Sequence, residues 1–250
     1  QFNSFSDSKA ISISYNDLFT SEGSVIIKDC QFTSCGQGAI SIENSEGYIS
    51  RLFNFTGCLF ENCKDDYGAA IYFKASQAEI TKCHFLNNEG TFGGDIYYEY
   101  LAPSSTRSNE KLVIDNCIFE RKNGAREKGS FIKFDSNFDF TNNQIKVQSQ
   151  IKIKIFDGQI DLNNEGFTIK GNKMNPYRED IIDNVKGDIS GSFDEEPPME
   201  CPPIPLVYGN TDSSSYTHIC ESQYDDVEPG NRGFYSNTLC GIYYSTFYNL

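Results

Sequence analysis

The sequence predicts an all-β fold, a parallel β-helix of about six or seven stacked coils followed by a cysteine- and proline-rich C-terminal appendage. Three observations support this prediction. A unit of about 28 residues recurs through most of the chain, a period typical of solenoids. Apolar residues recur at fixed places within each copy. The composition, with 20 Gly, 20 Phe, 15 Tyr and no Trp, suits strands separated by turns better than helices.

The copies align on a column of cysteine and asparagine: Cys30, Cys58, Cys83, Cys117, Asn143 and Asn172. Two residues later, an apolar column is expected to form a core ladder of Phe32, Phe60, Phe85, Phe119, Ile145 and Met174. Another apolar column lies three residues before the aligned position and holds Ile27, Phe55, Ile80, Ile114, Phe140 and Ile169. Side chains alternate across a strand with a period of two, so the odd step between these columns predicts a corner. Each coil is expected to contain three short strands and three corners.

A proline-rich stretch divides the chain. Residues 1–190 are assigned to the β-helix, 191–205 to an acidic linker rich in proline, and 206–250 to a cap or subunit-contact extension rich in Cys and Tyr. Proline cannot donate to a hydrogen-bonded ladder, which marks the linker as a boundary. The last segment has too few apolar residues for a core of its own, so we expect it to be stapled by disulfides.

The net charge of −14 argues against nucleic acid as a partner, because phosphate binding needs clustered Lys and Arg. No run of about 18 apolar residues occurs, so no membrane span is predicted. Nine cysteines in a chain of this size favour an oxidising compartment. We therefore expect a secreted protein that is extracellular or located at the cell surface.

Seven cysteines are candidates for disulfides: Cys30, Cys35, Cys58, Cys63, Cys201, Cys220 and Cys240. Stacked coils place aligned Cα atoms about 4.8 Å apart, within reach of a disulfide. Bridges could form within a coil, Cys30 with Cys35 and Cys58 with Cys63, or between coils, and Cys35 and Cys63, expected in turns, are the better bridge candidates. The alternative is that the cysteines of the aligned column are reduced and serve as small buried apolar side chains. No metal or other cofactor is expected, because neither His84 nor His218 has partners at metal-ligand spacing.

Acidic residues raise the alternative of a pectate-lyase-like enzyme or a polysaccharide-binding β-helix. Lys64, Asp65 and Asp66 in one coil and Asp95 in the next are expected on one outward face. Paired carboxylates can hydrolyse glycosides, and a lyase would use a cation with a basic residue. We favour solvated turn residues, because no equivalent set recurs in the coils around Lys64 and acids are common in turns. Asn54, in Asn54-Phe55-Thr56, is a candidate glycosylation site on an outward position.

The paired motifs F-x-x-N and G-G-A-I resemble the repeat of the polymorphic membrane proteins, a bacterial autotransporter family, and of related protist cell-surface proteins. Here they read Phe85-Leu86-Asn87-Asn88 with Gly93-Gly94-Asp95-Ile96, and Phe60-Glu61-Asn62-Cys63 with Gly68-Ala69-Ala70-Ile71. The resemblance covers residues 24 to about 134. It implies a right-handed β-helix used for surface display, adhesion or scaffolding. The membrane-anchoring C-terminal region of that family has no counterpart in this chain.

The sequence therefore favours a non-enzymatic structural or adhesive β-helix, either a cell-surface module or the subunit of a filament. Self-association is the expected partnership, because solenoids without caps expose edge strands at their ends. Candidate contact residues are Gln1, Phe2, Tyr243, Tyr244, Phe247 and Tyr248. Glycans and cell-surface proteins of a host are further candidate partners.

Overall fold

A computed structural model of the 250-residue chain describes residues 2–3, 8–15, 24–44, 52–74, 77–99, 112–122, 130–134, 138–148, 151–163, 166–189, 191–195, 217–220, 223–224, 240–243 and 246–247. The chain divides into two units, Gln1–Glu196 and Pro197–Leu250. The first unit is a parallel β-solenoid, which confirms the predicted fold class.

Three parallel sheets form the sides of the solenoid. Sheet 1 has eight strands: β1 (Phe2–Asn3), β4 (Gln31–Thr33), β7 (Leu59–Glu61), β10 (His84–Leu86), β13 (Ile118–Arg121), β16 (Gln144–Val147), β20 (Asn172–Asn175) and β22 (Phe193–Glu195). Sheet 2 has six: β2 (Ile11–Tyr15), β5 (Ile40–Asn44), β8 (Ile71–Lys74), β11 (Ile96–Glu99), β14 (Ser130–Phe134) and β17 (Lys154–Asp157). Sheet 3 also has six: β3 (Ser24–Lys28), β6 (Leu52–Thr56), β9 (Gln77–Thr81), β12 (Leu112–Asp115), β15 (Phe138–Thr141) and β19 (Phe167–Lys170).

The core ladder lies on the inner face of sheet 1. Its six residues are fully buried and pair in register along neighbouring strands, in the order Phe32, Phe60, Phe85, Phe119, Ile145 and Met174. The first four rings are stacked, with centroids 4.8 to 5.2 Å apart. Each coil thus buries its apolar columns against the coils before and after it.

In each coil the chain turns from sheet 3 to sheet 1 at one residue whose backbone has the left-handed conformation, with a positive φ. That residue precedes the aligned column and is Asp29, Gly57, Lys82, Asn116, Asn142 or Gly171, with φ between 52° and 67°. Gly, Asn and Asp tolerate this conformation better than other residues do. The same position therefore turns the chain in six successive coils, as the odd step between the apolar columns predicts.

The solenoid continues past the boundary predicted at residue 190. β22 pairs with β20 and extends sheet 1, so the first residues of the predicted linker add a strand to the solenoid. Before it, the 3-10 helix Glu179–Ile181 and a short parallel pair, β18 (Ile160–Asp161) with β21 (Val185–Lys186), complete the late coils. Ile181 and Ile182 are buried there.

The second unit contains parallel strand pairs of its own. β23 (Thr217–Cys220) pairs with β25 (Cys240–Tyr243), and β24 (Gln223–Tyr224) pairs with β26 (Thr246–Phe247). Two of the candidate contact residues, Tyr243 and Phe247, are therefore in strands that pair within the chain. At the other end, Phe2 is in β1, which pairs with β4. Gln1, Tyr244, Tyr248 and Cys201 lie outside the described residues.

Candidate functional site

A groove of about 490 Å³ opens where sheet 1 turns into sheet 2. It is lined by Lys9, Gly36, Gln37, Lys64, Asp65, Asp66, Glu89, Gly90 and Thr91. These residues come from three successive corners and from the segment before β2. The structure thus brings together Lys64, Asp65 and Asp66, the three neighbouring residues predicted for a polysaccharide site.

The groove arises because one corner is short. Six residues, 34–39, connect β4 to β5, whereas nine connect β7 to β8 (62–70) and nine connect β10 to β11 (87–95). The strands on both sides of these corners still pair in register, Thr33 with Glu61 and Ile40 with Ile71. The missing residues therefore leave a notch at the surface and do not shift the core.

Gly38 keeps this notch open. Its φ is +83°, and a Cβ at this position would lie 2.9 Å from Asp65 Oδ2. Across the glycine, Lys9 Nζ donates to Asp65 Oδ2 at 2.6 Å, with both side chains about one quarter exposed (27% and 22%). An L side chain at position 38 would be strained in its backbone and would press on this ion pair.

The other charged groups of the groove are also paired between coils. Lys64 Nζ lies 3.4 Å from Glu89 Oε2, and the backbones of the two residues form a parallel bridge. The Thr91 hydroxyl donates to Asp66 Oδ1 at 3.0 Å. Both aspartates of the groove are thus engaged by other coils, Asp66 by the next coil and Asp65 by Lys9, which lies two coils before it.

Aromatic rings lie beside the groove, and sequence reasoning missed them. Tyr67 follows Asp66 directly and is 45% exposed, and Phe92, its partner in the next corner, is 40% exposed. The two rings stack at 5.1 Å, and Tyr97 packs edge-on against Tyr67 at 5.4 Å. Aligning the G-G-A-I motifs puts Tyr67 and Phe92 at equivalent positions in successive corners. This alignment could have predicted that the two rings meet.

Tyr72, on sheet 2, contacts both this group of rings and Lys9 of the groove. Its ring stacks on Tyr97 at 5.3 Å, and Lys9 Nζ lies 5.6 Å from its centroid, within the range of a cation–π contact. Burial, with a smaller effect from the carboxylate of Glu43, raises the pKa of the Tyr72 hydroxyl. Tyr72 therefore remains a neutral hydroxyl at physiological pH.

The prediction that Asp95 lies on the outward face is wrong. Its side chain is fully buried, because Asp95 precedes Ile96 in the column that holds Ala39 and Ala70, both buried, in the earlier coils. Arg121 Nη2 lies 3.0 Å from Asp95 Oδ2 inside the solenoid, and the guanidinium packs over the ring of Phe131. Asp95 is sealed from the groove and serves the interior.

Asn88 completes this buried polar cluster. Its Nδ2 donates to Asp95 Oδ1 at 2.9 Å and to Phe60 O at 3.1 Å, and its Oδ1 accepts from the Cys63 N–H at 2.9 Å. Burial raises the pKa of Asp95, while the positive charge of Arg121 and the bond from Asn88 oppose this shift. The cluster accounts for the asparagine of the F-x-x-N motif as a structural residue.

The cysteines of the aligned column form a ladder of thiols. Cys58, Cys83 and Cys117 are buried, and each Sγ donates to the carbonyl oxygen three residues before the aligned position in the preceding coil, at 3.4 to 3.7 Å. Asn143 and Asn172 extend the ladder, donating to the equivalent oxygens from Nδ2 at 3.1 and 2.9 Å. From Cys58 to Asn172, each side chain of the column therefore hydrogen-bonds to the backbone of the preceding coil, through a free thiol or through an amide.

The predicted bridges between Cys30, Cys35, Cys58 and Cys63 are not formed, since all six cysteines described within the solenoid are free thiols. Cys63, like the ladder thiols, donates to a backbone carbonyl, Phe32 O at 3.7 Å. Hydrogen bonding to Cys117 and burial raise the pKa of Cys83 to about 12, and contact with Cys35 and burial likewise raise that of Cys63. Buried thiols with raised pKa values react slowly with oxidants. Cys220 and Cys240 lie in β23 and β25.

Asn54 and His84 lie on outer faces of the solenoid. Asn54 is half-buried on β6, and its Oδ1 accepts from the hydroxyl of Thr56, the third residue of the same glycosylation motif, at 2.7 Å. His84 Nε2 lies 3.0 Å from Glu120 Oε2, and this contact lowers the pKa of Glu120.

In the described part of the chain, no three His, Cys, Asp or Glu residues converge as a metal site. None of the helices described there is long and apolar enough to cross a membrane.

The three sheets and their stacked ladders define a parallel β-solenoid with a groove at one corner. Residues 1–175 match the family described as a right handed beta helix region, so the chain belongs to this family. The comparison with curated proteins found no match, and neither did the comparison with solved structures. The narrower resemblance to polymorphic membrane proteins stays a prediction.

Proposed function

We propose that the protein is a non-enzymatic structural or adhesive β-helix that acts outside the cell. The observation that carries this proposal is the pairing of charges in the groove. Asp65 accepts from Lys9, and Asp66 accepts from Thr91. A catalytic acid or base needs access to the substrate and a pKa near the working pH. Carboxylates held by residues of other coils are better suited to shaping a surface.

The interior of the solenoid also supports a scaffolding role. Each coil contacts its neighbours through stacked rings, thiols and amides, so the outer faces are held on a stiff frame. Such frames present long surfaces for binding. The proposal of an extracellular location rests on the cysteine count alone. Six of the nine cysteines are free thiols in the solenoid, and burial of those in the ladder would protect them from oxidation.

Incubation of the purified chain with acidic and neutral polysaccharides tests the absence of catalysis. We expect no new reducing ends and no unsaturated products over a long incubation at pH 5 to 9. Asp65→Ala is the matched variant. Turnover by the native chain that is lost in this variant would refute the proposal and would support the alternative, a polysaccharide-degrading β-helix.

Self-association is the second part of the proposal. β1 and β22 are the outer strands of sheet 1 among the described residues, and outer strands of a parallel sheet can pair with those of a second copy. We expect negative-stain electron microscopy at neutral pH and high protein concentration to show head-to-tail rods. Uniform single particles at every concentration would argue for a monomeric surface module.

A further inference from the structure

We propose that the outer face of sheet 2 and its adjoining corner bind a basic segment of a partner protein. One arginine of that segment stacks its guanidinium group on the open face of Tyr67, and a second basic side chain pairs with Glu43. The inference rests on the proposed function and deepens it, because it assigns a partner to an adhesive surface that has no catalytic role.

The aromatic patch, defined as Tyr67, Tyr72, Phe92 and Tyr97, supplies the contact surface. Tyr67 stacks on Phe92 at 5.1 Å and meets Tyr97 edge-on at 5.4 Å, and Tyr97 stacks on Tyr72 at 5.3 Å. Of the four large apolar side chains that are exposed in the described part of the chain, two are Tyr67 and Phe92. Contiguous exposed rings are typical of surfaces that bind other proteins.

Tyr67 has one ring face available for a ligand. Phe92 covers the other face, and Tyr97 lies against the edge. The corner of the preceding coil, residues 34–39, is three residues shorter than 62–70 and has no equivalent of Tyr67. Among the residues that the structure describes, no further ring and no cation lies over Tyr67, which is 45% exposed.

The chain itself already places two cations on aromatic rings, each beside a carboxylate. Lys9 Nζ lies 5.6 Å from the ring centroid of Tyr72 and donates to Asp65. In the interior, the Arg121 guanidinium lies 4.3 Å from the ring centroid of Phe131 and pairs with a buried aspartate. The ring face attracts a cation through its quadrupole, and a nearby carboxylate strengthens the attraction. Tyr67 has the same ring face without a cation from this chain.

Glu43 supplies negative charge on the same face of sheet 2. It is exposed, and among the described residues it forms no ion pair, since its Oε1 accepts only from the Ser41 hydroxyl at 3.2 Å. Lys74, its neighbour in register, pairs instead with Glu99 at 3.2 Å. Burial, and after it the charges of Glu43 and Glu99, raise the pKa of the Tyr72 hydroxyl, so both carboxylates act on the aromatic patch.

Charge and shape together favour an arginine-bearing protein segment. The net charge of −14 attracts a basic partner and repels the phosphates of nucleic acid. Arginine suits the patch better than lysine, because its planar guanidinium stacks on a ring and binds a carboxylate through two parallel hydrogen bonds.

Titration of the full chain with synthetic dodecapeptides tests this inference. The probe alternates arginine with serine, and three further peptides replace every arginine by lysine, by the uncharged isostere citrulline or by glutamate. Isothermal titration calorimetry gives the affinity and the stoichiometry. We expect one arginine peptide per chain, weaker binding of the lysine peptide and no binding of the other two. Raising the salt from about 50 mM to about 500 mM should weaken binding about tenfold, because exposed charges are screened.

Variants locate the ring contact. Tyr67→Ala is expected to weaken binding of the arginine peptide about fivefold, as for the loss of one exposed cation–π contact. Tyr67→Phe keeps the ring and should bind within about twofold of the native chain. Tyr177→Ala is the matched control, since Tyr177 is 40% exposed and lies outside the patch. Unchanged circular dichroism and melting temperature would show that each variant is folded.

A second pair of variants locates the charge contact. Glu43→Gln should weaken binding of the arginine peptide about threefold, as expected for one exposed ion pair. Glu195→Gln is the matched control, because Glu195 is also exposed but lies on β22 of sheet 1. It removes the same charge from the whole chain, so any larger loss in Glu43→Gln belongs to the site.

Several results would overturn the inference: no binding of the arginine peptide, equal binding of the citrulline peptide, native affinity in folded Tyr67→Ala, or equal losses in Glu43→Gln and Glu195→Gln. Each of these would leave the non-enzymatic scaffold standing. The proposed function is refuted by a different readout, the release of reducing ends from polysaccharides, which the peptide titration does not affect.

Discussion

Cys117 and Asn143 make the same two backbone contacts in consecutive coils. Cys117 Sγ accepts from the Cys83 N–H and donates to Ile80 O, both at 3.4 Å. Asn143 Oδ1 accepts from the Cys117 N–H at 2.8 Å, and its Nδ2 donates to Ile114 O at 3.1 Å. The thiol thus takes the place of an amide, with longer and weaker hydrogen bonds.

Replacing this thiol tests its polar role. Cys117→Asn is expected to match or exceed the native free energy of unfolding by up to about 1 kcal/mol, because an amide makes stronger hydrogen bonds. Cys117→Ala is expected to lose about 1 to 3 kcal/mol, because the Ile80 carbonyl loses its donor. Urea denaturation measures both. Equal stability of the alanine variant and the native chain would show that the column is merely apolar.

Removing one partner of the buried Asp95–Arg121 ion pair is expected to lower the free energy of unfolding strongly, whereas removing both partners is expected to lower it much less. Arg121→Val should lose about 3 to 5 kcal/mol, because Asp95 would remain as an unpaired buried acid. Asp95→Ala combined with Arg121→Val uses the residues found in the same columns, Ala70 and Val147, and should recover much of that loss. Urea denaturation at pH 7 gives the comparison.

The control for this cycle is a partly exposed pair. Lys133 Nζ lies 4.0 Å from Asp157 Oδ2, and Lys133→Ala should change the free energy of unfolding by less than about 1 kcal/mol. A double variant that is less stable than Arg121→Val alone would contradict the account of Asp95 as a desolvated acid.

Asp95 also predicts a pH dependence. Burial raises its pKa in the folded state above the value of about 3.9 expected when unfolded. The folded chain then binds more protons between these two values, so the contribution to stability is complete below the unfolded pKa and falls as pH rises through the folded pKa. Comparing native protein with Asp95→Asn, the native chain should gain relative stability from pH 7 to pH 4. A difference that shrinks toward acid pH would show a carboxylate stabilised by Arg121.

Lys82 is the least suited residue in the corner column of Asp29, Gly57, Asn116, Asn142 and Gly171. Its φ of 54° costs an L residue with a long side chain roughly 1 kcal/mol or more. Lys82→Gly should therefore raise the free energy of unfolding by about 0.5 to 1 kcal/mol. Gly57→Ala is the reverse test and should be destabilising, since its Cβ would lie 2.5 Å from Asp29 Oδ1. Thermal and urea denaturation should agree in sign.

Much of the fold could be predicted because apolar residues recur at the same positions in every repeat. The column of Phe32 and Phe60 and the corner before Cys30 follow from alternation and one odd step, and both depend on local chain geometry alone. Asp95 could have been placed inside as well, because Ala39 and Ala70 occupy its column. An aspartate after two glycines is instead typical of a turn, and for this reason the sequence predicts Asp95 on the outer face.

The groove could not be predicted in the same way. The shorter step from Cys35 to Ile40 is visible in the sequence, but the reach of Lys9 across Gly38 depends on how three coils stack. The bridges predicted among Cys30, Cys35, Cys58 and Cys63 are absent for a related reason. Cα spacing permits a bridge, whereas the backbone carbonyls that hold the thiols are provided by residues far away in the sequence.

The unequal corners have a consequence for how this solenoid can change. Thr33 pairs with Glu61 and Ile40 with Ile71 although the segments between them differ in length, so insertions and deletions at this edge leave the ladders intact. The exposed middle of each corner can therefore vary, whereas its ends, such as Cys63 and Ala69, are buried and belong to the core. New surface shapes can be engineered, or can evolve, by altering the length of this exposed middle while the strands on both sides keep their register.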